Sequence, residues 1–265
     1  MTSVNTKGTA LITGASSGIG AVYADRLAKR GFDLLLVARD QTRLETLAAR
    51  LRAEAGVKVE VLKADLTNRS ELSVVENRLR DDASITLLLN NAGVAFTGTL
   101  AEADSDGLDT LIQLNIVALT RLASAAAAGF GRQGRGAIIN LGSVVAMMPE
   151  TFNGAYAATK AYVLSLTQSL NAEVSPLGIQ VQAVLPGATR TEIWERSGLD
   201  LNKFPQEMIM NVTEMVDAAL AGFDQAELVT IPSLPDAADW NAVVSARLAL
   251  GPNLSLSRAA ARYKG

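Results

Sequence analysis

Three observations place this sequence in the α/β class, as a doubly wound, mostly parallel, seven-stranded sheet with helices on both faces. Short apolar runs alternate with amphipathic segments almost throughout, as expected when helices cover both sides of a parallel sheet. Apolar residues make up 49% of the 265 residues, enough for a sizeable buried core. A glycine-rich turn stands between the first apolar run and the first amphipathic segment. Neither an internal repeat nor a low-complexity linker marks a second domain, so residues 1–265 read as one domain.

The strands are expected at Thr9–Thr13, Phe32–Ala38, Lys58–Leu62, Ile85–Asn90, Gly136–Leu141, Gln180–Leu185 and Glu227–Ile231. A first helix, Ala21–Arg30, opens from the glycine turn. Between the second and third strands Asp40 caps a helix in which Leu44, Leu47, Ala48 and Leu51 share a face, and Gly56 stops it. Two long helices, Asp106–Phe130 and Ala155–Val174, carry apolar residues on more than one face, so something must bury them all round. The alternation fails from Pro186 to about residue 207 and again after Pro232, the latter stretch reading as a C-terminal extension. These irregular stretches follow the sixth and seventh strands, and open α/β sheets bind ligands at the carboxyl ends of their strands.

Composition narrows the chemistry. Lys+Arg 24 against Asp+Glu 27 gives a net charge of −3 without long like-charge runs, which argues against a nucleic-acid or anionic-membrane partner. No apolar run looks long enough to span a bilayer, and Met1 to Lys7 lacks the order of a signal peptide, so a soluble, cytoplasmic protein is expected. The chain has 0 His and 0 Cys, which removes imidazole and thiol from any proton-transfer or nucleophilic mechanism. No metal site is expected.

Tyr156 is the leading acid/base candidate, because Lys160 follows it by one helical turn and shares its face. The other tyrosines lack this arrangement: Leu27 follows Tyr23, Leu166 follows Tyr162, and Tyr263 is too near the end. A phenol titrating near pH ~10 needs a shift of about three units, roughly 4 kcal/mol, to work near neutrality. A close ammonium can supply much of that. The competing reading is a lysine merely snorkelling over the ring.

The turn Thr13-Gly14-Ala15-Ser16-Ser17-Gly18-Ile19-Gly20 permits close backbone approach to a diphosphate and points a helix N-terminus at it. It is not a P-loop, since Ile19-Gly20 stands where a phosphate-binding Lys-Ser/Thr would be. The second strand ends in Val37-Ala38-Arg39-Asp40, with no acidic residue at the position that would hold both ribose hydroxyls of NAD. Arg39 can instead grip a 2′-phosphate, which favours NADP(H). A ribose-binding Asp40 would leave NAD(H) open.

With these motifs in order, the chain resembles the short-chain dehydrogenase/reductase family over nearly its whole length. The matching residues are Thr13–Gly20, Asp65-Leu66, Asn90-Asn91-Ala92-Gly93, Asn115, Ser143, Tyr156 with Lys160, and Pro186-Gly187. The resemblance implies a single Rossmann-fold domain and a cofactor site drawn from Gly14, Ser16, Ser17, Gly18, Ile19, Gly20, Arg39, Asp65, Leu66, Asn91, Ala92, Gly93, Tyr156, Lys160, Pro186, Gly187 and Thr189. It also implies hydride exchange with a carbonyl/alcohol pair, with Tyr156 as acid or base, Lys160 lowering its pKa and holding the nicotinamide ribose, and Ser143 donating to the substrate oxygen.

Other roles stay open for several of these residues. Asp65 could cap the following helix, Ser143 could cap a strand end, and Asn115 could be either a holder of a relay water or a satisfied buried amide. Apolar residues expected near the site, Phe96, Val145, Met147, Met148, Phe152, Ile193 and Trp194, suggest a hydrophobic ketone, aldehyde or secondary alcohol; Arg190 and Arg196 lie in the irregular segment beside them. Family resemblance further implies a homo-oligomer, dimer or tetramer, built on the two long helices. A catalytically silent, dinucleotide-binding redox sensor is the alternative function.

Overall fold

The computed structural model describes residues 7–95, 98–151, 154–192, 194 and 204–264. Seven strands, β1 (Thr9–Thr13), β2 (Asp33–Ala38), β3 (Val59–Lys63), β4 (Ile85–Asn90), β5 (Gly136–Leu141), β6 (Ile179–Val184) and β7 (Val229–Thr230), form one sheet in the order β3-β2-β1-β4-β5-β6-β7. Every neighbouring pair is parallel. The chain winds outward from β1 to β3, then crosses back to β4 and winds the other way. Connections therefore diverge above β1 and β4, which opens a crevice at their carboxyl ends.

Alternate strand residues enter two different cores, as the pleat requires. Leu34 and Leu36 of β2 join Leu27, Leu44, Leu51 and Leu220 on one face, while Leu35 and Val37 join Leu79, Phe130 and Leu170 on the other. Helices α1 (Gly18–Lys29) and α2 (Gln41–Ala55) cover the first face, and α3 (Arg69–Asp81) covers the second. Asp40 caps α2 by accepting from Arg43 N at 3.0 Å, and Gly56 ends it in a left-handed conformation.

Two expected elements differ. The helix expected from Asp106 to Phe130 runs without interruption from Ser105 to Gln133 but is not regular: α4 (Ser105–Ile112) passes through a π-helical turn, Gln113–Ala118, into α5 (Leu119–Gln133). The π-turn holds Asn115, whose side chain is tied to the backbone of Val94, a contact no local pattern encodes. β7 spans only Val229–Thr230 rather than Glu227–Ile231, because Ala226 takes a left-handed φ of 58° and Glu227 N donates back to Gly222 O, so both residues finish the preceding helix.

The segment Ser105–Gln133 is long and apolar enough to cross a membrane, contrary to the sequence reading. In this fold Leu122, Ala126 and Phe130 of that segment lie in the second core. Contacts divide the chain into Met1–Pro232, which holds the sheet, and Ser233–Gly265. The second unit contains the helix Ala237–Ala249 followed by 3-10 turns, with no buried residue among its described residues.

Candidate active site

Thr13 closes β1 with its hydroxyl donating to Leu89 O at 3.2 Å and accepting from Asn91 N and Ala92 N, both at 3.0 Å. The Asn91 amide answers by donating to Thr13 O at 2.8 Å and Gly14 O at 3.2 Å. The ends of β1 and β4 are thus stitched together. The glycine turn fits against this stitch so closely that Gly14 and Gly20 have no room for a side chain. Gly14 has φ +66°, and a Cβ there would meet Ala92 Cα at 2.9 Å; a Cβ on Gly20 would meet Gly14 O at 2.4 Å. Ile19 packs on the first core.

The turn fits a dinucleotide diphosphate. α1 begins at Gly18, its N-cap Ser17 makes no side-chain cap bond, and its first turn carries no acidic residue. Free N–H groups and the positive end of the helix dipole are left for an anion, with the glycines keeping the approach open. Ser16, Ser17, Thr42, Arg43, Arg50 and Glu192 line a concavity of about 380 Å³ beside the turn. A larger concavity, about 420 Å³ along α3, is lined by Val74, Asn77, Arg78, Asp81 and Asp82 and holds none of the motif residues.

The flanking cofactor candidates occupy the same carboxyl edge. Asp65 accepts from Thr67 N at 2.9 Å and Thr67 Oγ1 at 2.7 Å, and Asn68, not Asp65, caps α3. Burial pushes the Asp65 carboxyl upward, but the Thr67 bonds and the charge of Arg39 outweigh it and hold the group ionised, below its ordinary value. Leu66 is buried in the second core. Arg39 is exposed at the end of β2 and is not among the residues lining the concavity. Past β6, Pro186 O accepts from Val144 N at 3.0 Å, and buried Thr189 donates to Gly187 O at 3.1 Å.

Helix α6 (Gly154–Val174) brings Tyr156 and Lys160 under the ends of β4 and β5. Lys160 is 7% exposed, and its Nζ donates to Leu141 O at 3.0 Å, which excludes the snorkelling alternative. Its Nζ lies 5.7 Å from the Tyr156 ring centroid. Ser143, in extended backbone after β5, hydrogen-bonds Tyr156, donates to Pro186 O and accepts from Val145 N. It is both a cap and a partner of the phenol. A Cβ on Gly93 would lie 3.1 Å from Asn115 Oδ1 and 3.8 Å from Lys160 Nζ, so Gly93, Asn115 and Lys160 converge on one point.

Asn115 Oδ1 accepts from Val94 N at 2.9 Å, while its Nδ2 donates to Val94 O at 2.9 Å and Thr159 Oγ1 at 3.2 Å. Of the two roles open from sequence, these contacts favour the satisfied buried amide. Electrostatics also differ from the sequence expectation. Burial pushes the Tyr156 phenol up to about 12, with the Ser143 hydrogen bond as the opposing influence. Lys160 is itself pushed down to about 8 by burial. The group that eases ionisation of Tyr156 here is Ser143.

Among the apolar candidates, Val145 is buried and Met147 and Met148 are exposed; Trp194 Nε1 donates to Thr189 O at 2.7 Å. Phe96, Phe152, Ile193 and Arg196 lie outside the described residues. Sequence reasoning missed Thr13 as the hub of the stitch, and Thr159, Arg43 and Glu192. Thr13 stood at the head of the glycine motif; Arg43 stood one helical turn past Arg39.

Known proteins resemble the chain in sequence and fold. A family model for short chain dehydrogenase matches residues 8–202. A short-chain dehydrogenase from Sphingobium yanoikuyae, solved in complex with NADPH, is 57% identical, superposes with a TM-score of 0.94, and is matched over 97% of this chain and 99% of its own. The bulky-bulky ketone specific alcohol dehydrogenase from Comamonas testosteroni is 50% identical with a TM-score of 0.89 over 97% and 98% of the two chains. An uncharacterized oxidoreductase of Staphylococcus epidermidis is 32% identical over 80% of this chain and 90% of its own. With its glycine turn, its Ser143–Tyr156–Lys160 group and these matches, the chain belongs to the short-chain dehydrogenase family of oxidoreductases.

Proposed function

We propose that the protein is an NADP(H)-dependent oxidoreductase that interconverts an apolar ketone or aldehyde and its alcohol. The observation that carries this reading is the convergence of Ser143, Tyr156 and Lys160 at the crevice the glycine turn borders. NADP(H), when bound, supplies the hydride exchanged with the carbonyl carbon. Gly14, Ser16, Ser17, Gly18, Ile19 and Gly20 would hold its diphosphate, Asp65 and Leu66 its adenine, Arg39 its 2′-phosphate, and Asn91, Ala92, Gly93, Pro186, Gly187 and Thr189 the rest.

Tyr156 gives its proton to the carbonyl oxygen in reduction and takes it back in oxidation, as the remaining residue types allow once histidine is absent. Ser143 hydrogen-bonds the phenol, and by turning its proton away from Pro186 O, a 3.3 Å contact, it would donate to a substrate oxygen where charge develops. Lys160, buried beside the ring, can grip the nicotinamide ribose, while Ser143 is the group that eases ionisation of the phenol. Asn115 belongs to this group as a positioning residue that fixes Val94 and the Gly93 backbone against Lys160.

An apolar substrate is supported by Val145, Met147 and Met148 next to Ser143, and by the ketone specificity named for the Comamonas relative. The reading includes a cytoplasmic homo-oligomer joined through the two long helices, to be checked by sedimentation. A panel of ketones and alcohols, followed by nicotinamide absorbance with NADPH and NADH in parallel, tests the activity. Turnover of apolar ketones with NADPH is expected. Equal or better use of NADH overturns the cofactor assignment.

A further inference from the structure

The segment after β6 reaches across to α2 and ends on a cation beside the glycine turn. Arg43 Nη1 donates to Glu192 Oε2 at 2.6 Å, between residues 149 apart in the chain. Arg43 is aimed by its own helix: Asp40 Oδ1 caps Arg43 N at 3.0 Å, and Asp40 Oδ2 lies 3.5 Å from Arg43 Nε. Neighbouring Thr191 lies directly over the turn, since a Cβ on Gly18 would be 3.3 Å from Thr191 Cβ.

Both partners line the concavity of about 380 Å³, whose other lining residues include the hydroxyl-bearing Ser16, Ser17, Thr42 and Thr46, the last with its hydroxyl donating to Thr42 O at 2.9 Å. Clustered hydroxyls around a guanidinium recognise a phosphate, which offers several acceptor oxygens. Arg50 lines the same concavity but is engaged by Asp25 at 3.2 Å and Glu54 at 2.8 Å. Arg43 is thus the cation here whose carboxylate partner arrives from the segment after β6.

We infer that Glu192 is an internal competitor for the 2′-phosphate site: its carboxylate holds Arg43, and the 2′-phosphate of NADP(H) takes its place. This inference rests on the NADP(H) reading above and adds Arg43 and Glu192 to it. Arg43, one of the residues lining this concavity, is a second guanidinium, after Arg39, that selects a phosphorylated ribose. Glu192 weakens binding of every ligand carrying that phosphate and leaves ligands without it unaffected. Because both side chains are close to half exposed, the exchange needs no change in the core.

Calorimetric titration of the full chain with adenosine 2′,5′-bisphosphate and with 5′-AMP tests the competition without turnover. Wild type should prefer the bisphosphate. Arg43→Gln should weaken the bisphosphate by roughly tenfold or more, the loss expected for a charged hydrogen bond, with 5′-AMP unchanged. Glu192→Gln should tighten the bisphosphate by about two- to fivefold, the range of an exposed ion pair, again sparing 5′-AMP. In the Arg43→Gln background the gain from Glu192→Gln should shrink. A gain that persists undiminished there would mean simple repulsion and overturn the competition, as would no gain at all. A wild type that binds both ligands alike overturns the NADP(H) reading itself. Circular dichroism confirms that each variant folds.

Discussion

Tyr156 and Lys160 sit in one small volume with opposed electrostatic consequences. A Tyr156→Phe variant keeps the ring and its packing and loses the proton, so turnover should fall by about 10²–10⁴-fold while NADPH binding is retained. Steady-state kinetics together with a binding titration check this. Lys160 carries a pH signature of its own. Its folded pKa is pushed from the ordinary 10.5 down to about 8 by burial, so between those values the unfolded chain binds the extra proton. Stability should therefore rise with pH from about 8 toward 10, by an amount on the order of 3 kcal/mol for the full shift. Above the ordinary phenol value of 10 Tyr156 acts in the other direction, since its folded pKa is raised to about 12 and the unfolded phenol ionises first. Urea titrations across pH 7 to about 10 should show the rise in wild type and its loss in Lys160→Met.

The glycine turn and the π-turn each depend on contacts within a few ångströms. A Cβ on Gly20 would fall 2.4 Å from Gly14 O, backbone that cannot step aside. Gly20→Ala should cost about 1–3 kcal/mol, as overpacking does, and weaken nucleotide binding. Gly154, at the start of α6, has no atom of the described residues within 4 Å of where a Cβ would project, so Gly154→Ala should leave stability unchanged or slightly raised in the same urea titrations. Asn115→Ala would strand the N–H and C=O of Val94, costing about 2–3 kcal/mol and loosening the Gly93–Val94 backbone beside Lys160. Its effect on kcat should exceed that on KM if the residue positions Lys160, and the two would move together if it only supported the fold.

Across the whole molecule, the parallel sheet sets where everything can meet. The strand order reverses between β1 and β4, and the motif loops follow β1, β4, β5 and β6, so residues far apart in sequence share one edge. A ligand bound at that edge should stabilise the entire sheet. At a hundredfold excess over its Kd, NADPH should add about 2.7 kcal/mol, and the same concentration of NADH less, read as a difference in thermal midpoint.

Much of this was legible in the residues alone. The apolar runs gave six strands to within a residue or so, since short buried strands in a covered parallel sheet must be apolar whatever lies beside them. The Tyr156–Lys160 spacing and the glycine turn were legible because each lies in a local pattern with a chemical reason, whereas Ser143 entered through the family resemblance. Folding alone could put the π-turn into the long helix at Asn115, make Ser143 the group that eases ionisation of Tyr156, and bring Glu192 to Arg43. Those outcomes depend on long-range contacts and on burial. Local spacing records which groups a chain has, whereas pKa values and partners are set by what the fold packs around them.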